Sequence, residues 1–361
     1  MLIALGIFLF LMLVVAHEYG HFLVAKRNNV EVEEFGIGFP PRIAGKILGK
    51  GIYRAFYTIN LLPLGGFVRL KGESSSDKRT GSFGATSLWV KTKIILAGVV
   101  ANFVMAILLF SFVGFVRMPV VISNQFHIES DTKILQDDVL ISFVGKNTPA
   151  DKAGLKAEDK LISINDVKIN KSDQVSVITE KYAGELVQIK YFDQNNQFKS
   201  VAVKLNKDNK DKSGYLGVAT QDNLQHQYTW SAPIVGLVFS GQLFLETLTR
   251  LGSLIISPFT GNAANASAEL GGPVLIVYIL TKIESVSLIV FLMGTISIAL
   301  AVFNALPLPA LDGGRLAVTA IFQWMKKPLT EKTENTIHGT GFAALMLLAI
   351  LVTYLDITRI L

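Results

Sequence analysis

Four stretches of this sequence are apolar over about the length that crosses a lipid bilayer as a helix, which takes roughly 20 residues. They cover residues 1–25, 94–116, 286–311 and 339–358. Lipid offers the backbone no hydrogen-bond partners, so such stretches must satisfy their own amides within a helix. Since half of the residues are hydrophobic, we expect an α-helical polytopic membrane protein with four transmembrane helices.

A fifth apolar stretch, residues 234–256, carries Glu246 and Arg250 one helical turn apart. These side chains can pair on one polar stripe. A polar stripe on an otherwise apolar helix is typical of a segment that lies on the membrane surface. We therefore predict an interfacial amphipathic helix inside a linker of residues 206–285.

The charged residues predict the orientation of the spans. Lys26 and Arg27 follow the first span, which has no basic residue before it and no small-residue cleavage site after it. We therefore interpret it as a membrane span and not as a signal peptide. Basic loops stay on the cytoplasmic side, which predicts cytoplasmic loops at 26–93 and 312–338. The protein is then a multi-pass protein of the cell (inner, cytoplasmic) membrane with an extracytoplasmic amino terminus.

Between the second and third spans, residues 120–205 have the pattern of an inserted extracytoplasmic α+β domain. The runs "VLISFVG" and "LISIND" indicate strands, and "TPADKAGLKAEDK" between them indicates a turn and a short helix. The runs "LVQIKYF" and "FKSVAVKL" around "DQNNQ" predict a hairpin. The whole pattern resembles a PDZ domain, whose groove binds an extended peptide or a substrate tail by strand addition. A simple spacer is the alternative.

Within the first cytoplasmic loop, "YTINLLPLGGFVRLKGE" places two short apolar runs around Pro63, Gly65 and Gly66. These runs are too short to span a bilayer. They predict a membrane-associated β-hairpin whose backbone is covered by protein or lines a wet cavity. An interfacial loop is the alternative interpretation.

The first span also contains "HEYGH", which places His17, Glu18 and His21 among apolar residues. A charge in the middle of a span costs at least about 2.5 kcal/mol, so a structural segment would normally avoid it. On a helix, two histidines four residues apart face one point and can share a zinc ion, and the glutamate between them can act as a general base on a water molecule. The alternative, histidines that merely hydrogen-bond to a neighbouring helix, leaves the carboxylate unexplained.

A third protein ligand must come from another span at the same depth. The chain contains no cysteine, so His, Asp or Glu must supply it. His17 lies about 24 Å from the outer start of the apolar core, near the cytoplasmic side. Asp312 ends the third span in "FNALPLPALDGGR" and emerges there if the chain crosses four times. We predict that Asp312 is the ligand and that Gly313 and Gly314 let the backbone approach the metal. An aspartate that caps the next helix is the alternative.

Several motifs in one order give the chain a family resemblance. These are "HEYGH", "GIGFPP", "LPLGGFVRLKGE", "LAGVVANF", the PDZ-like segment, "LGGPVLI" and "NALPLPALDGGR". Over essentially its whole length the chain resembles the site-2 protease family of intramembrane zinc metalloproteases. The resemblance is greatest to the bacterial sigma-E regulator proteases, here with a single PDZ domain.

The resemblance implies zinc ligands His17, His21 and Asp312, with Glu18 as the catalytic base. It also implies a set of residues that shape or clamp the substrate: Gly36, Gly38, Gly65, Gly66, Asn304, Pro307 and Pro309. Packing between helices is an equally good explanation for Asn304. The chain departs from the family pattern at Val99, where proline is frequent, and at Ala299, where a second asparagine is frequent.

Together these features predict a zinc metalloendopeptidase that cleaves transmembrane segments of single-span proteins, such as an anti-sigma factor or a signal-peptide remnant. Two other classes stay open. A metal transporter would also place His and Asp in the membrane, and a non-catalytic adaptor would use the PDZ groove alone. The net charge of +6 is explained by loops that face anionic membrane lipid, so we expect no nucleic-acid partner.

Overall fold

The computed structural model describes most of the chain, namely residues 2–74, 76–122, 124–194, 196–209, 214–256, 272–283 and 285–360. Part of the predicted linker, residues 257–271, lies outside the described residues. The chain divides into two compact units. The membrane unit comprises Met1–Val116 and Trp230–Leu361, and the inserted unit comprises Arg117–Thr229.

Within the described residues the helices are α1 (Leu2–Arg27), α2 (Leu88–Val116), α3 (Pro149–Lys152), α4 (Ser172–Lys181), α5 (Ala232–Ile256), α6 (Pro273–Lys282), α7 (Val286–Ala305), α8 (Asp312–Trp324) and α9 (Glu331–Ile360). The strands are β1 (Val32–Leu48), β2 (Ala55–Leu70), β3 (Met118–Pro119), β4 (Lys133–Val144), β5 (Lys160–Ile164), β6 (Val167–Lys168), β7 (Leu186–Phe192), β8 (Phe198–Lys204) and β9 (Val218–Gln227).

The four predicted spans are confirmed as the long apolar helices α1, α2, α7 and α9. Helices α1, α2 and α7 pack on one another. Most of α9 presents apolar side chains such as Leu347 and Ile350 to the outside, as a helix in contact with lipid would. At its far end, the Asp356 carboxylate accepts the backbone N–H groups of Gly272 and Leu275 and so fastens α9 to the start of α6.

Helix α5 is also long and apolar enough to cross a membrane, and it runs alongside α2. The ring of Phe239 contacts the ring of Phe110 at 4.8 Å between centroids, and Phe244 contacts Phe103 at 5.9 Å. The contacting residue on α2 has a lower number when the contacting residue on α5 has a higher one, so the two helices are antiparallel. The structure thus packs this segment along a predicted span, and its predicted position on the membrane surface stays a prediction.

Helix α7 is antiparallel to α2 as well. The Ser297 hydroxyl donates to the Asn102 carbonyl at 2.7 Å, and Gly294 lies against the ring of Phe110. Since α5 and α7 both run opposite to α2, they begin at the same end of the membrane unit. Helix α1 also runs opposite to α2, because His21 contacts Ile94 whereas His17 contacts Asn102. The ends of α1 and α7 therefore lie on the same side, although α5 is an additional long helix.

Strands β1 and β2 form a bent sheet next to α1. Residues 34–37 of β1 pair on one side with residues 56–59 and on the other with residues 66–69, both of which belong to β2. The second half of β1, residues 42–48, pairs with residues 55–60. The two apolar runs around Pro63 therefore do not form a hairpin with each other, because the start of β1 lies between them.

Glu34 explains why the start of β1 occupies this central position. Its carboxylate is buried and accepts the Thr58 hydroxyl at 2.7 Å. It also lies 3.2 Å from Nη2 of Arg42 and 3.4 Å from Nη1 of Arg69. A buried carboxylate needs such partners, and these come from all three neighbouring segments of the sheet.

The inserted unit has the predicted α+β architecture. Its strands lie in the order β3-β9-β4-β5-β7-β8, with β6 paired to β5. The predicted hairpin is confirmed as β7 and β8, and α3 is the predicted short helix, capped by the Thr148 hydroxyl. The predicted end of this domain at residue 205 is wrong, because β9 pairs with β4 inside the sheet. The sequence did not predict this strand because polar residues such as Gln221 and Asp222 interrupt its apolar pattern.

Candidate metal centre

The metal centre begins with a close approach of α1 and α2. A Cβ atom placed on Gly20 would lie 2.5 Å from the carbonyl oxygen of Ala97. The backbones therefore touch at this point, which only a residue without a side chain permits. The same face of α1 presents His17 and His21, one helical turn apart, towards α2.

Three ligand atoms converge in front of this face. Nε2 of His17 lies 3.2 Å from Nε2 of His21. Oδ2 of Asp312 lies 3.1 Å from each of these nitrogens. The structure therefore brings together the three predicted ligands, two from α1 and one from the first residue of α8.

The donor set fits zinc. Zn²⁺ binds imidazole nitrogen and carboxylate oxygen at about 2.1 Å, and two ligands of a tetrahedral ion then lie about 3.4 Å apart. The observed separations of 3.1 and 3.2 Å are close to this value. Oδ2 of Asp312 is also buried without a hydrogen-bond partner among the described residues. A cation between the three atoms would satisfy it, and three protein ligands leave the fourth position open, as in catalytic zinc sites.

Each imidazole is oriented by a second contact to α2. Nδ1 of His21 lies 2.7 Å from the carbonyl oxygen of Ile94, to which it can donate. Nδ1 of His17 lies 3.2 Å from Nδ2 of Asn102, whose Oδ1 is buried without a partner among the described residues. With Nε2 directed at a metal, Nδ1 of His17 bears the proton, and a half turn of the amide gives Oδ1 that proton to accept. Such outer contacts fix the tautomer and the direction of a metal ligand.

Gly98 makes room for both rings. A Cβ atom on this residue would lie 2.5 Å from Nε2 of His21 and 2.6 Å from Cε1 of His17. Any side chain at this position would therefore displace the ligands themselves.

The loop that leads to Asp312 packs closely against the backbone of the two glycines that follow Asp312. A Cβ atom on Gly313 would lie 2.4 Å from the Ala305 carbonyl oxygen, and one on Gly314 would lie 1.9 Å from that of Leu308. The glycine pair therefore allows the tight turn between α7 and α8, and its approach to the metal stays a prediction.

His338 on α9 supports the same loop. Ala310 has a positive φ of 79°, and its N–H donates to Nδ1 of His338 at 3.1 Å. Nε2 of His338 is buried without a partner among the described residues. The left-handed conformation of Ala310 costs roughly 1–2 kcal/mol, so the hydrogen bond helps to hold Asp312 in position.

Glu18 lies between the ligands and the sheet. A Cβ atom on Gly66 would lie 3.4 Å from Cγ of Glu18, and the Val68 backbone N–H faces the Glu18 carboxylate. Within the described residues, residues 66–69 pair with β1 on one side only, and their other edge lies next to Glu18. The central residue Ile59 is paired on both sides.

The other glycines predicted to shape the substrate site form part of the sheet. Gly36 lies under the ring of Phe67, to which an added Cβ would come within 2.4 Å. Gly65 lies against the ring of Phe39, and Gly38 has a positive φ of 79°. Among these glycines, only Gly66 is shown to contact the Glu18 region.

The remaining predicted substrate residues follow α7. Asn304 is half-buried, and its side chain makes no hydrogen bond within the described part of the chain. Pro307 is exposed. Pro309 packs against α9, where a Cβ on Gly341 would meet it at 2.5 Å. None of the three is shown to contact a metal ligand.

A cavity of about 780 Å³ has the ligand Asp312 in its lining. It reaches Asp312 from the end of β2 and the start of α9. Arg315 crosses it, donating to the Glu73 carbonyl at 2.9 Å and lying 4.0 Å from the Glu334 carboxylate. At its rim, hydrogen bonds from Arg79 lower the pKa of Asp77 to about 2, so this carboxylate is charged at physiological pH.

Three residues of the centre are absent from the set predicted by sequence: Gly98, Asn102 and His338. Asn102 could have been found by the argument that singled out His17, because it too is a polar residue in an apolar span. Gly98 lies in the motif "LAGVVANF", but a glycine in a span has many ordinary explanations. No local pattern marks His338.

The membrane helices and the His, His, Asp centre with an adjacent glutamate define a class, the metal-dependent membrane peptidases. Residues 5–348 match the sequence profile of Peptidase family M50, and the chain belongs to this family.

The regulator of sigma E protease of Haemophilus influenzae is 25% identical over 96% of this chain and 96% of its own length. The zinc metalloprotease RasP of Geobacillus kaustophilus is 27% identical over 96% of this chain and 95% of its own length. A crystal structure of the PDZ domain of an SdrC-like protein from Listeria innocua is 25% identical, with a TM-score of 0.20. The match covers 24% of this chain and 93% of the chain in that crystal structure.

Proposed function

We propose that this protein is an intramembrane zinc endopeptidase that cleaves transmembrane segments of single-span membrane proteins. The observation on which the proposal rests is the convergence of His17, His21 and Asp312 beside Glu18, within helices long and apolar enough to cross a bilayer. When bound, zinc supplies Lewis-acid chemistry, polarising a peptide carbonyl and lowering the pKa of water.

The residues of the chain have separate roles in this proposal. The two imidazoles and the Asp312 carboxylate hold the ion, and Ile94 and Asn102 hold the imidazoles. Glu18 takes a proton from the attacking water and passes it to the leaving amine. Its place next to the backbone of Gly66 supports this role, because a substrate backbone on that edge would pass the same carboxylate.

A transmembrane helix hides its peptide groups in internal hydrogen bonds, so the substrate must unwind before it is cut. The available edge of residues 66–69 offers backbone groups to an extended segment. We propose that strand addition at this edge holds the unwound segment next to Glu18. The edge does not extend over all of β2, because Ile59 is paired on both sides.

The substitution Glu18→Gln tests the base. It should leave zinc bound in a one-to-one ratio, because no ligand changes, and lower the turnover of a reconstituted transmembrane peptide by about 10²- to 10⁴-fold. Metal analysis and cleavage of the peptide in liposomes measure the two effects. Glu246→Gln on α5 is the matched control and should retain activity. Undiminished turnover in the Glu18 variant would exclude this residue as the base.

The inserted unit is proposed to act as an extracytoplasmic filter or as a holder of a trimmed tail. Replacing residues 117–229 by a short linker should leave zinc binding intact, because the unit has its own hydrophobic core. A filter predicts that the shortened protein also cleaves substrates with bulky outer domains. A spacer predicts unchanged selectivity, which would contradict the filter.

Two competing functions have distinct signatures. Zinc flux into proteoliposomes would support a transporter, and full zinc occupancy without peptidase activity would support an adaptor.

Comparing membrane-protein fragments in cells that express the native chain or its Glu18→Gln variant would identify the substrate, for which a membrane-bound anti-sigma factor and a signal-peptide remnant are both candidates.

A further inference from the structure

A second cavity, of about 560 Å³, lies where α2 begins. The first turn of α2, the middle of α8 and the segment before α9 border it. Three of its lining residues are basic, Lys78, Lys91 and Lys327, whereas Glu331 is its one acidic residue within the described chain. The cavity therefore has a positive charge.

Lys91 is the most unusual of these residues. It is only 5% exposed, and no carboxylate of the described residues lies within ion-pair distance of its ammonium group. Its ammonium group lies over the ring of Phe83, at 5.5 Å, and the Arg315 guanidinium lies over the same ring at 5.2 Å. The buried Glu334 carboxylate is a nearby opposite charge, but it forms no ion pair with Lys91 within the described residues. Two cations thus share one ring and neither is neutralised by it. Buried lysines are otherwise found almost only with a partner, because a desolvated charge is costly.

The backbone around Lys91 also favours an anion. Ser87 precedes α2 and its hydroxyl accepts the Val90 N–H at 3.4 Å. The first turn of a helix of this length has further N–H groups without helical partners and a partial positive charge. Helix starts of this kind bind phosphate groups.

Two tryptophans place the cavity at the membrane surface. Trp89 in the first turn of α2 is 67% exposed, and Trp324 at the end of α8 is 84% exposed. Exposed tryptophans in membrane proteins concentrate at the level of the lipid headgroups. The cavity opens between the two helices that carry them.

We propose that this cavity binds a phosphate group, supplied by an anionic phospholipid headgroup or by a soluble phosphate compound. The phosphate oxygens accept hydrogen bonds from the Lys91 ammonium, with Lys78 and Lys327 adding positive charge. The ligand neutralises the buried Lys91 and joins the start of α2 to α8. The site is separate from the metal centre and does not depend on the proposed peptidase activity.

The test uses the purified full-length chain in neutral detergent micelles. Energy transfer from tryptophan to pyrene-labelled phosphatidylglycerol reports binding, with unlabelled phosphatidylglycerol or phosphatidylcholine as competitor. The unfolding temperature reports binding of inorganic phosphate against chloride at equal ionic strength. Lys91→Met should weaken binding about tenfold, as expected for the loss of one hydrogen bond to a charged group.

Lys93→Met is the matched control. Lys93 lies on the same helix, is exposed and packs over Trp89 outside the cavity, so its removal should change affinity by less than about twofold. Lys327→Met removes an exposed charge of the cavity and provides a second weakening variant if Lys91→Met does not fold.

Preferential competition by phosphatidylglycerol would assign the site to lipid. A phosphate-specific rise in unfolding temperature that Lys91→Met abolishes would assign it to a soluble compound. Equal affinities of the native chain and its Lys91 and Lys327 variants for every ligand would overturn the proposal.

Discussion

Single glycines set the distance between the helices of the metal centre. Gly20 brings the backbone of α1 onto α2, and Gly98 leaves the space that the two imidazoles occupy. Gly98 also follows Ile94 by one helical turn, so the carbonyl that accepts His21 lies beside the gap. The second helix thereby supplies both the space for the ligands and the groups that orient them.

We expect Gly98→Ala to impair zinc binding. The new methyl group would lie 2.5 Å from a ligand nitrogen, and both rings would have to turn away from the position they share with Asp312. The loss should resemble that seen when outer contacts of a metal ligand are removed, about 10- to 100-fold in metal affinity. Competition with a zinc-binding dye measures it.

Gly241→Ala provides the control, because a Cβ atom at this helical glycine would meet nothing within 4 Å. This variant should bind zinc as the native chain does. Equal zinc affinity in the Gly98 variant would show that the gap is not needed.

At the scale of elements, the sheet of β1 and β2 positions a strand edge against α1. Three segments meet at Glu34, and the ring of Phe67 covers Gly36. Residues 34–37 lie between residues 66–69 and residues 56–59. The position of residues 66–69 next to Glu18 thus depends also on the contacts that residues 34–37 make on their other side.

We expect Gly36→Ala to lower peptide cleavage while zinc stays bound. The added methyl group would meet the Phe67 ring at 2.4 Å and push residues 66–69 away from β1 and out of register with Glu18. A misplacement of about 1 Å can cost about 10²-fold in rate. Turnover and zinc content are measured on the same preparation.

The second substitution Phe67→Leu, made together with Gly36→Ala, should restore part of the activity, since the smaller side chain leaves room for the methyl group. A double variant as inactive as Gly36→Ala alone would place the defect elsewhere.

The sequence predicted those elements whose signal is local. Apolar length identified α1, α2, α7 and α9, and the spacing of His17 and His21 identified half of the metal centre. Asp312 could be predicted as well, because only one order of crossings brings a second carboxylate to the same depth. The pairing of β1 with two segments of β2 could not, since it depends on a buried Glu34 whose partners are distant in sequence. Nor could the course of α5, where packing against α2 decides.

At the scale of the whole molecule, the order of the helices predicts on which side of the membrane each loop lies. Helices α1 and α7 run opposite to α2, so the ends of α1 and α7 lie on one side. Lys26 and Arg27 in the last turn of α1 predict that this side is cytoplasmic. The same orientation predicts an extracytoplasmic inserted unit.

The natural absence of cysteine makes this orientation easy to test. Three exposed lysines can be replaced singly: Lys50 between β1 and β2, Lys332 at the start of α9 and Lys168 in the inserted unit. A maleimide that does not cross membranes should label Lys168→Cys in intact spheroplasts, and Lys50→Cys and Lys332→Cys only after permeabilisation. Labelling of all three from outside would contradict the four-crossing arrangement.

The ligands of the metal centre come from the first helix and from α8, so the ribosome must translate most of the message before a complete site exists. A nascent chain with only α1 and α2 inserted holds two imidazoles and a glutamate but no third ligand. Proteolytic competence therefore arises only late in biogenesis, and an immature chain in the translocon poses no hazard to the other polypeptides inserting beside it.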